Sequence, residues 1–132
     1  MTELKTVIWH DAPSRPVTHD LLLSTSNKFR VNTLAYTDQE LFAEEMKQIF
    51  SRTWIYVGHE SEVPNAGDFK TSFVGLQPVI LTRDSDSKIN VVVNRCVHRA
   101  SVVCREARGN AKEFQCPYHG WIYGMDGKLL AV

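Results

Sequence analysis

Apolar residues recur at helical spacing within residues 36–53, and this pattern predicts an amphipathic helix. Phe42 is followed at i+4, i+7 and i+8 by three further apolar side chains, those of Met46, Ile49 and Phe50. Such spacing places one apolar stripe on a helix and leaves the opposite face polar. The helix itself is expected to run from about Asp38 to Arg52. Its apolar stripe is interpreted as core and not as a cofactor-binding face.

A capping box is predicted at the start of this helix, at Thr37-Asp38-Gln39-Glu40. In this motif the Thr37 hydroxyl accepts from the Glu40 amide, and the Glu40 carboxylate accepts from the Thr37 amide. Upstream, residues 1–35 are polar, contain Pro13 and Pro16 and show no sustained hydrophobic period. An irregular N-terminal arm is therefore expected over residues 1–35.

From Trp54 onward the hydrophobic pattern changes to that of β-strands. Strands are predicted for residues 54–58, 69–74, 78–82, 89–93 and 121–123, and a further one begins at Leu129. Gly-, Asp- and Ser-rich segments separate them at residues 64–68, 84–88 and 125–128. The sequence thus predicts a mainly β fold, a small antiparallel β-sandwich or barrel over residues 54–132, preceded by one α-helix.

Composition and charge narrow the classes of function. The chain has 132 residues, enough for one domain, and its Lys+Arg and Asp+Glu totals are equal at 15 each. A net charge of zero removes the usual electrostatic argument for binding nucleic acid or an anionic membrane surface. No apolar run reaches the roughly 20 residues of a transmembrane helix, and the N-terminus lacks the pattern of a secretory signal. Three cysteines, an odd number, favour a reduced cytoplasmic setting over a disulfide scaffold.

Two short Cys/His pairs carry the candidate chemistry of the chain. They are Cys96-x-His98 and Cys116-x-x-His119, separated by residues 99–115. In a Rieske [2Fe-2S] centre two thiolates hold one iron and two imidazoles hold the other. Each pair can supply one ligand to each iron, so the pattern predicts a Rieske cluster on two loops, a carrier of one electron.

A Cys₂His₂ zinc site is the alternative for these four residues. Zinc fingers usually place two cysteines together and two histidines together, whereas here each pair mixes the two ligand types. The mixed order favours the dinuclear cluster. Cys104 belongs to neither pair and is interpreted as a buried free thiol.

Several other residues are assigned supporting or ordinary roles. His10 and His19 are interpreted as solvated polar residues, and His59 as a polar residue at a strand end. Three neighbours of the Cys/His pairs are expected to support the cluster. Arg99 would make a charged contact, Gly120 would leave no side chain against the cluster, and Trp121 would shield it.

The residues around the two pairs carry a family resemblance. Cys96-Val97-His98-Arg99 fits the pattern C-x-H-R, and Cys116-Pro117-Tyr118-His119-Gly120-Trp121 fits C-x-x-H-G-W. Together they resemble the Rieske domain of the large (alpha) subunits of ring-hydroxylating oxygenases. The resemblance covers roughly residues 36–132, and its flanks are most similar to the benzoate, anthranilate and salicylate branch. Ala100 departs from the Gly that commonly follows H-R in this family, although it keeps a small residue there.

This resemblance implies that residues 54–132 are the N-terminal Rieske domain of a large subunit, cut within or just after that domain. The C-terminal catalytic domain, with its mononuclear Fe(II), would be absent, and no catalytic residue is expected in this chain. Electrons from a reductase or ferredoxin would pass through the cluster to that Fe(II), which activates O₂ to hydroxylate an aromatic ring. The resemblance also implies a trimer of large subunits, small beta subunits, and an exit for the electron through His98 or His119.

A stand-alone Rieske ferredoxin is the alternative function. Such a carrier would not need the arm of residues 1–35 and a helix before its sheet, and it would need residues after Val132 to finish that sheet. The large-subunit interpretation is therefore preferred, and it predicts an open reading frame past Val132.

Overall fold

The computed structural model describes residues 22–25 and 27–132, with side chains from residue 27 onward. The chain divides into two compact units, Met1–Lys47 and Gln48–Val132. His10, His19 and the two prolines of the expected arm lie outside the described residues. Within the described part, no helix is long and apolar enough to cross a membrane.

The first unit contains a β-hairpin and two short helices. The hairpin strands β1 (Leu22–Thr25) and β2 (Lys28–Val31) are antiparallel, with Leu22 opposite Val31. Regular structure therefore begins within the range expected to be irregular, and that expectation is wrong for these residues. Strands of four residues span too few positions for their alternation to stand out in a sequence. Helix α1 (Leu34–Thr37) and helix α2 (Gln39–Glu45) follow.

The predicted capping box at Thr37 is wrong by one residue. Asp38 is the N-cap of α2, since its backbone is extended (φ −78°, ψ 122°) and its carboxylate accepts from the Leu41 N–H at 2.8 Å. Thr37 is still part of α1, and its hydroxyl donates instead to the Thr33 carbonyl at 3.3 Å. An N-cap residue has an extended backbone, and Thr37 has a helical one, so Thr37 cannot be the N-cap of α2.

The apolar stripe of the predicted helix does not form core in the described structure. Helix α2 ends at Glu45, and Met46–Phe50 forms a π-helical turn. Phe42 and Ile49 are 46% and 47% exposed. A π turn is wider than an α turn, so the i+7 and i+8 positions no longer continue the face that Phe42 begins.

The segment after this turn is not a strand, contrary to the prediction for residues 54–58. It has no ladder partner among the described residues, and its aromatic side chains face solvent, with Trp54 103% and Tyr56 78% exposed. A 3₁₀ turn at Glu60–Glu62 follows. His59 caps this turn, because its ring nitrogen Nδ1 accepts from the Ser61 N–H at 3.2 Å. His59 thus begins a turn and does not end a strand.

The main sheet has four antiparallel strands in the order β5-β4-β3-β6. Their bounds are Asp68–Val74 for β3, Gln77–Arg83 for β4, Ile89–Val93 for β5 and Arg108–Asn110 for β6. The predicted strands at 69–74, 78–82 and 89–93 are confirmed. Asp84 builds the turn between β4 and β5, because its carboxylate accepts from the N–H groups of Asp86 and Lys88 at 3.0 and 2.9 Å.

A second sheet has three antiparallel strands in the order β7-β8-β9. Their bounds are Glu113–Gln115, Ile122–Gly124 and Leu129–Ala131. Phe69 of the main sheet and Phe114 of the second make an edge-to-face contact with ring centroids 5.3 Å apart. The buried Thr82 hydroxyl also donates to the Met125 carbonyl at 2.7 Å. The predicted antiparallel β fold is confirmed, as two sheets that share a core, and neither closes into a barrel.

Candidate metal centre

The first candidate loop, residues 96–101, follows β5 and is closed by its own backbone. The Cys96 N–H donates to the Ser101 carbonyl at 2.8 Å, and the Ala100 N–H donates to the Cys96 carbonyl at 2.8 Å. These two bonds fix a tight turn that begins at a cysteine and presents its third residue, His98, to solvent.

The second candidate loop, residues 116–121, repeats this closure between β7 and β8. The Cys116 N–H donates to the Trp121 carbonyl at 2.8 Å, and the Gly120 N–H donates to the Cys116 carbonyl at 3.0 Å. Both loops thus have the same hydrogen bonds at equivalent positions. They differ in where the histidine falls, which is the third residue of the first loop and the fourth of the second.

The fifth residue of each loop is left-handed. Ala100 has φ +56° and Gly120 has φ +81°. This conformation suits glycine and strains alanine. A Cβ added at Gly120 would meet only the Gln115 amide nitrogen, at 3.5 Å. The glycine therefore suits the backbone of the turn, and its expected role of keeping space free beside the cluster stays a prediction.

The two cysteines of the pairs are buried side by side. Cys96 and Cys116 are 3% and 2% exposed and belong to one core cluster with Tyr123. The Tyr123 hydroxyl accepts from the Val97 N–H at 3.1 Å. Its proton is then free to donate to Cys96 Sγ, 3.0 Å away.

The surroundings of Cys96 favour its thiolate. Burial by itself raises the pKa of this thiol, but hydrogen bonds from the Tyr123 hydroxyl and from the backbone N–H groups of His98 and Arg99 lower it below its ordinary value. The thiolate is the form of cysteine that binds metals. The contact from Arg99 comes from its backbone, and its side chain is exposed.

The two histidines lie together on the outer side of the loops. The ring centroids of His98 and His119 are 4.6 Å apart, and both residues are exposed. Trp121 stacks on His98 with centroids 4.8 Å apart and planes 7° from parallel. Tyr118 lies against His119 with centroids 3.9 Å apart. These aromatic contacts hold the imidazoles at one exposed edge.

This two-and-two arrangement is what a Rieske cluster requires of its donors, with thiolates on one iron and imidazoles on the other. In the part of the chain that the structure describes, no three His, Cys, Asp or Glu side chains are grouped around a single ion position. The residues present therefore fit the [2Fe-2S] group, with the thiols in the core and the imidazoles at the surface.

Cys104 lies apart from this arrangement, as predicted. It is a free thiol, 4% exposed, in the core cluster that includes Phe69 and Phe114. Burial raises its pKa to about 11. It is an inert core side chain at neutral pH.

Two supporting residues were not predicted from the sequence. Tyr123 falls within the predicted strand at residues 121–123, which gives it no role in the site. In the structure its hydroxyl lies 3.0 Å from Cys96 Sγ. Asn94 is 3% exposed, and its side-chain oxygen accepts from the N–H groups of Val103 and Cys104 at 3.1 and 2.9 Å. Its amide nitrogen donates to the Cys104 carbonyl at 2.7 Å. The sequence does carry a signal for Asn94. It is a polar residue that directly follows an apolar strand and lies two positions before Cys96.

An antiparallel β fold that brings two thiols and two imidazoles together on two loops is the arrangement of an iron–sulfur domain. The chain belongs to the Rieske [2Fe-2S] domain family, whose model matches residues 53–132. Biphenyl 2,3-dioxygenase subunit alpha of Rhodococcus jostii is 44% identical to it over 103 residues, 78% of this chain and 22% of that protein. The large oxygenase component of salicylate 5-hydroxylase from Ralstonia sp. is 49% identical over 104 residues, 78% of this chain and 25% of that protein.

A solved structure agrees with these relatives. Naphthalene 1,2-dioxygenase with indole in its active site matches at a TM-score of 0.72 and 40% identity, over 77% of this chain and 23% of that one. The resemblance to alpha subunits of ring-hydroxylating oxygenases is thereby confirmed. The chain spans about a quarter or less of the length of these relatives.

Proposed function

We propose that this chain is the electron-accepting part of the large subunit of an aromatic-ring-hydroxylating dioxygenase. Cys96 and Cys116 would hold one iron of a [2Fe-2S] cluster, and His98 and His119 would hold the other. The observation that carries this proposal is the pairing itself, two buried thiols and two exposed imidazoles on two loops of matching backbone. The names of the relatives support the oxygenase context.

A Rieske cluster accepts and releases one electron, at about −150 to +300 mV. The residues of this chain would set the surroundings of that electron. Burial of Cys96 and Cys116 excludes water from the thiolate side, and the hydrogen bonds on Cys96 stabilise the added negative charge. His98 and His119 are exposed, so the ring nitrogen that each would leave unligated is the expected exit of the electron.

In the longer protein the domain would take electrons from a reductase or ferredoxin and pass them to a mononuclear Fe(II) in a catalytic domain. That Fe(II) would activate O₂ to hydroxylate an aromatic compound similar to benzoate, anthranilate or salicylate. Trimeric large subunits with small beta subunits would bring one of the two histidines near an acidic residue of the next subunit. The same proposal places the enzyme in the cytoplasm.

The three cysteines provide a matched test of this proposal. Cys96→Ser and Cys116→Ser should each abolish iron and acid-labile sulfide, whereas Cys104→Ser, an equally conservative change at a buried thiol, should retain both. Dithionite-reduced wild-type protein should give a rhombic EPR signal with an average g below that of the free electron. Colourless protein with one bound zinc would refute the proposal.

A further inference from the structure

A small apolar pocket lies between the two sheets of the second unit. Its volume is about 150 Å³, and its walls include Ile80 of β4, Val92 of β5, Phe114 of β7 and Tyr123 of β8. Val103 lines the pocket as well, and it packs against both core clusters. The pocket therefore lies where the core that the two sheets share adjoins the buried thiols of the two loops.

The size and the lining of this pocket favour a single ring. An engineered cavity of about 150 Å³ with aliphatic and aromatic walls stays dry and binds benzene, whereas sites for drug-sized ligands have volumes of about 300–1,000 Å³. The hydroxyl of Tyr123 already accepts from the Val97 N–H and lies 3.0 Å from Cys96 Sγ. Water would therefore find few hydrogen-bonding partners in the pocket, and an aromatic ring can displace it without losing hydrogen bonds.

One positive charge adjoins this apolar space. Of the described residues that line the pocket, Arg95 alone is charged. Arg95 is exposed, and it forms no ion pair with any other described residue. A guanidinium can bind a carboxylate through two parallel N–H···O bonds. An uncompensated arginine beside an apolar pocket therefore favours a ligand that combines a ring with a carboxylate.

We propose that this pocket binds a monocyclic aromatic carboxylate, with the ring between the two sheets and the carboxylate on the Arg95 guanidinium. The volume limits the ligand to one ring, the apolar lining selects that ring, and Arg95 selects its negative charge. This inference goes beyond the proposed function, because it assigns an organic ligand to the domain that carries the electron. Binding makes and breaks no covalent bond and moves no electron.

A series of ligands tests the size and charge of the pocket. Calorimetric titration of the cluster-loaded protein with benzoate should give saturable binding at one site, with a dissociation constant of about 1 mM for so small a ligand. Acetate carries the charge without the ring and should bind more than about tenfold more weakly, because it buries almost no apolar area. 4-tert-Butylbenzoate should also bind more weakly, because a pocket of about 150 Å³ has no room for its added group. Either compound binding as tightly as benzoate, or no saturation by benzoate, would overturn the site.

Two arginine variants test the position of the carboxylate. Arg95→Gln should weaken benzoate binding about two- to five-fold, the range of a surface ion pair. Arg108→Gln removes an equally exposed arginine on β6, at the opposite edge of the main sheet from β5, and should leave the affinity unchanged. Benzamide, the neutral analogue, should bind wild type and Arg95→Gln equally. The same loss of benzoate affinity in both variants, or a loss of benzamide affinity in Arg95→Gln, would contradict the assignment of Arg95.

Two neighbouring valines on β5 test the position of the ring. Val92 lines the pocket, whereas the adjacent side chain of Val91 points to the other face of the sheet and is 49% exposed. Val92→Phe should fill the pocket and abolish benzoate binding, and Val91→Phe should retain it, with far-UV circular dichroism confirming that both variants fold. Undiminished binding in a folded Val92→Phe protein would reject the pocket. If that variant does not fold, the arginine variants and the ligand series decide the question.

Failure of this inference is distinguishable from failure of the proposed function. The EPR signal of the dithionite-reduced protein reports on the iron–sulfur cluster and does not require the pocket to be occupied. A normal signal in a protein that benzoate does not saturate rejects the ligand site and leaves the cluster in place.

Discussion

The Tyr123 hydroxyl joins the second sheet to the first loop. It accepts from the Val97 N–H and lies 3.0 Å from Cys96 Sγ. A hydrogen bond to a thiolate stabilises the more negative, reduced state of a cluster more than the oxidised state. Tyr123 is therefore expected to raise the reduction potential.

Tyr123→Phe should lower the reduction potential of the loaded domain. A hydrogen bond to a charged group contributes about 1.5 kcal/mol, and a tenfold change in equilibrium is about 59 mV for one electron, so the expected shift is roughly −60 mV. Redox titration followed by EPR measures it. Within the described residues the Tyr118 hydroxyl makes no hydrogen bond to a cysteine sulfur, in contrast to that of Tyr123. An equal shift in Tyr118→Phe would contradict the assignment.

Ala100 stores backbone strain at the fifth position of the first loop. Its φ of +56° costs a non-glycine residue about 1 kcal/mol. Ala100→Gly should therefore stabilise the protein by up to about 1 kcal/mol, measured by urea unfolding. Gly120→Ala should destabilise it by about the same amount, because the same conformation is imposed on alanine at φ +81°. Ala131→Gly, in exposed strand β9, should not stabilise.

At the scale of elements, Asn94 joins the two ends of the first-loop region. Its side chain makes three hydrogen bonds to the backbone of Val103 and Cys104. Asn94→Ala should cost about 3 kcal/mol or more, since three buried backbone groups lose their partner. Amide exchange within residues 96–101 should rise in that variant. Asn90→Ala, in strand β5, should leave exchange in the loop unchanged, and a rise there would show that Asn94 has no specific role.

The turn between β4 and β5 gives a pH-dependent prediction. The pKa of Asp84 lies below its ordinary value of 3.8, chiefly because the Asn90 amide and then the Lys88 N–H donate to its carboxylate. A depressed pKa means that this stabilisation is present above 3.8 and is lost as the pH falls through the folded-state pKa. The difference in unfolding midpoint between wild type and Asp84→Asn should thus be constant from pH 7 to about 5 and shrink below about 4. A difference that grows in acid would contradict it.

At the scale of the whole second unit, the two sheets depend on one shared core. Thr82 is fully buried and donates to the Met125 carbonyl, which links β4 to the β8–β9 turn. Thr82→Val keeps the volume but leaves that carbonyl unpaired, at a cost of about 1–3 kcal/mol. Far-UV circular dichroism and Trp fluorescence should still report one transition, shifted to lower urea. Ser72→Ala, on β3, is the control variant. It should lower the urea midpoint of unfolding less than Thr82→Val does.

The sequence predicts those features of the structure that are determined by residues close together in the chain. The two Cys/His pairs are contiguous motifs, and strands β3, β4 and β5 are each five or more residues long and lie between turn segments. Residues 54–58 have the composition of a strand, but pairing needs a neighbouring strand that composition cannot supply. Strands β6 and β7, with three residues each, are too short to show a period.

The supporting residues that the sequence did not predict depend on contacts between separate elements. Tyr123 lies in β8 and Cys96 lies in the first loop, so the contact joins two separate elements. The spacing of residues within one segment cannot predict it. The π-helical turn at Met46–Phe50 depends on backbone hydrogen bonds that an apolar stripe does not report. It remains a prediction that the cluster is held by Cys96, His98, Cys116 and His119. The structure brings these four side chains together, so the prediction names each ligand.

The closure of each loop by its own backbone has a consequence for how the domain acquires its cofactor. Because the two turns are held by hydrogen bonds within residues 96–101 and 116–121, the ligands need little rearrangement to receive a cluster. The thiols are 3% and 2% exposed, whereas both imidazoles face solvent. A cluster that enters from solvent would therefore meet the histidines first and the cysteines last, so cluster entry and the proposed electron exit would share one side of this domain.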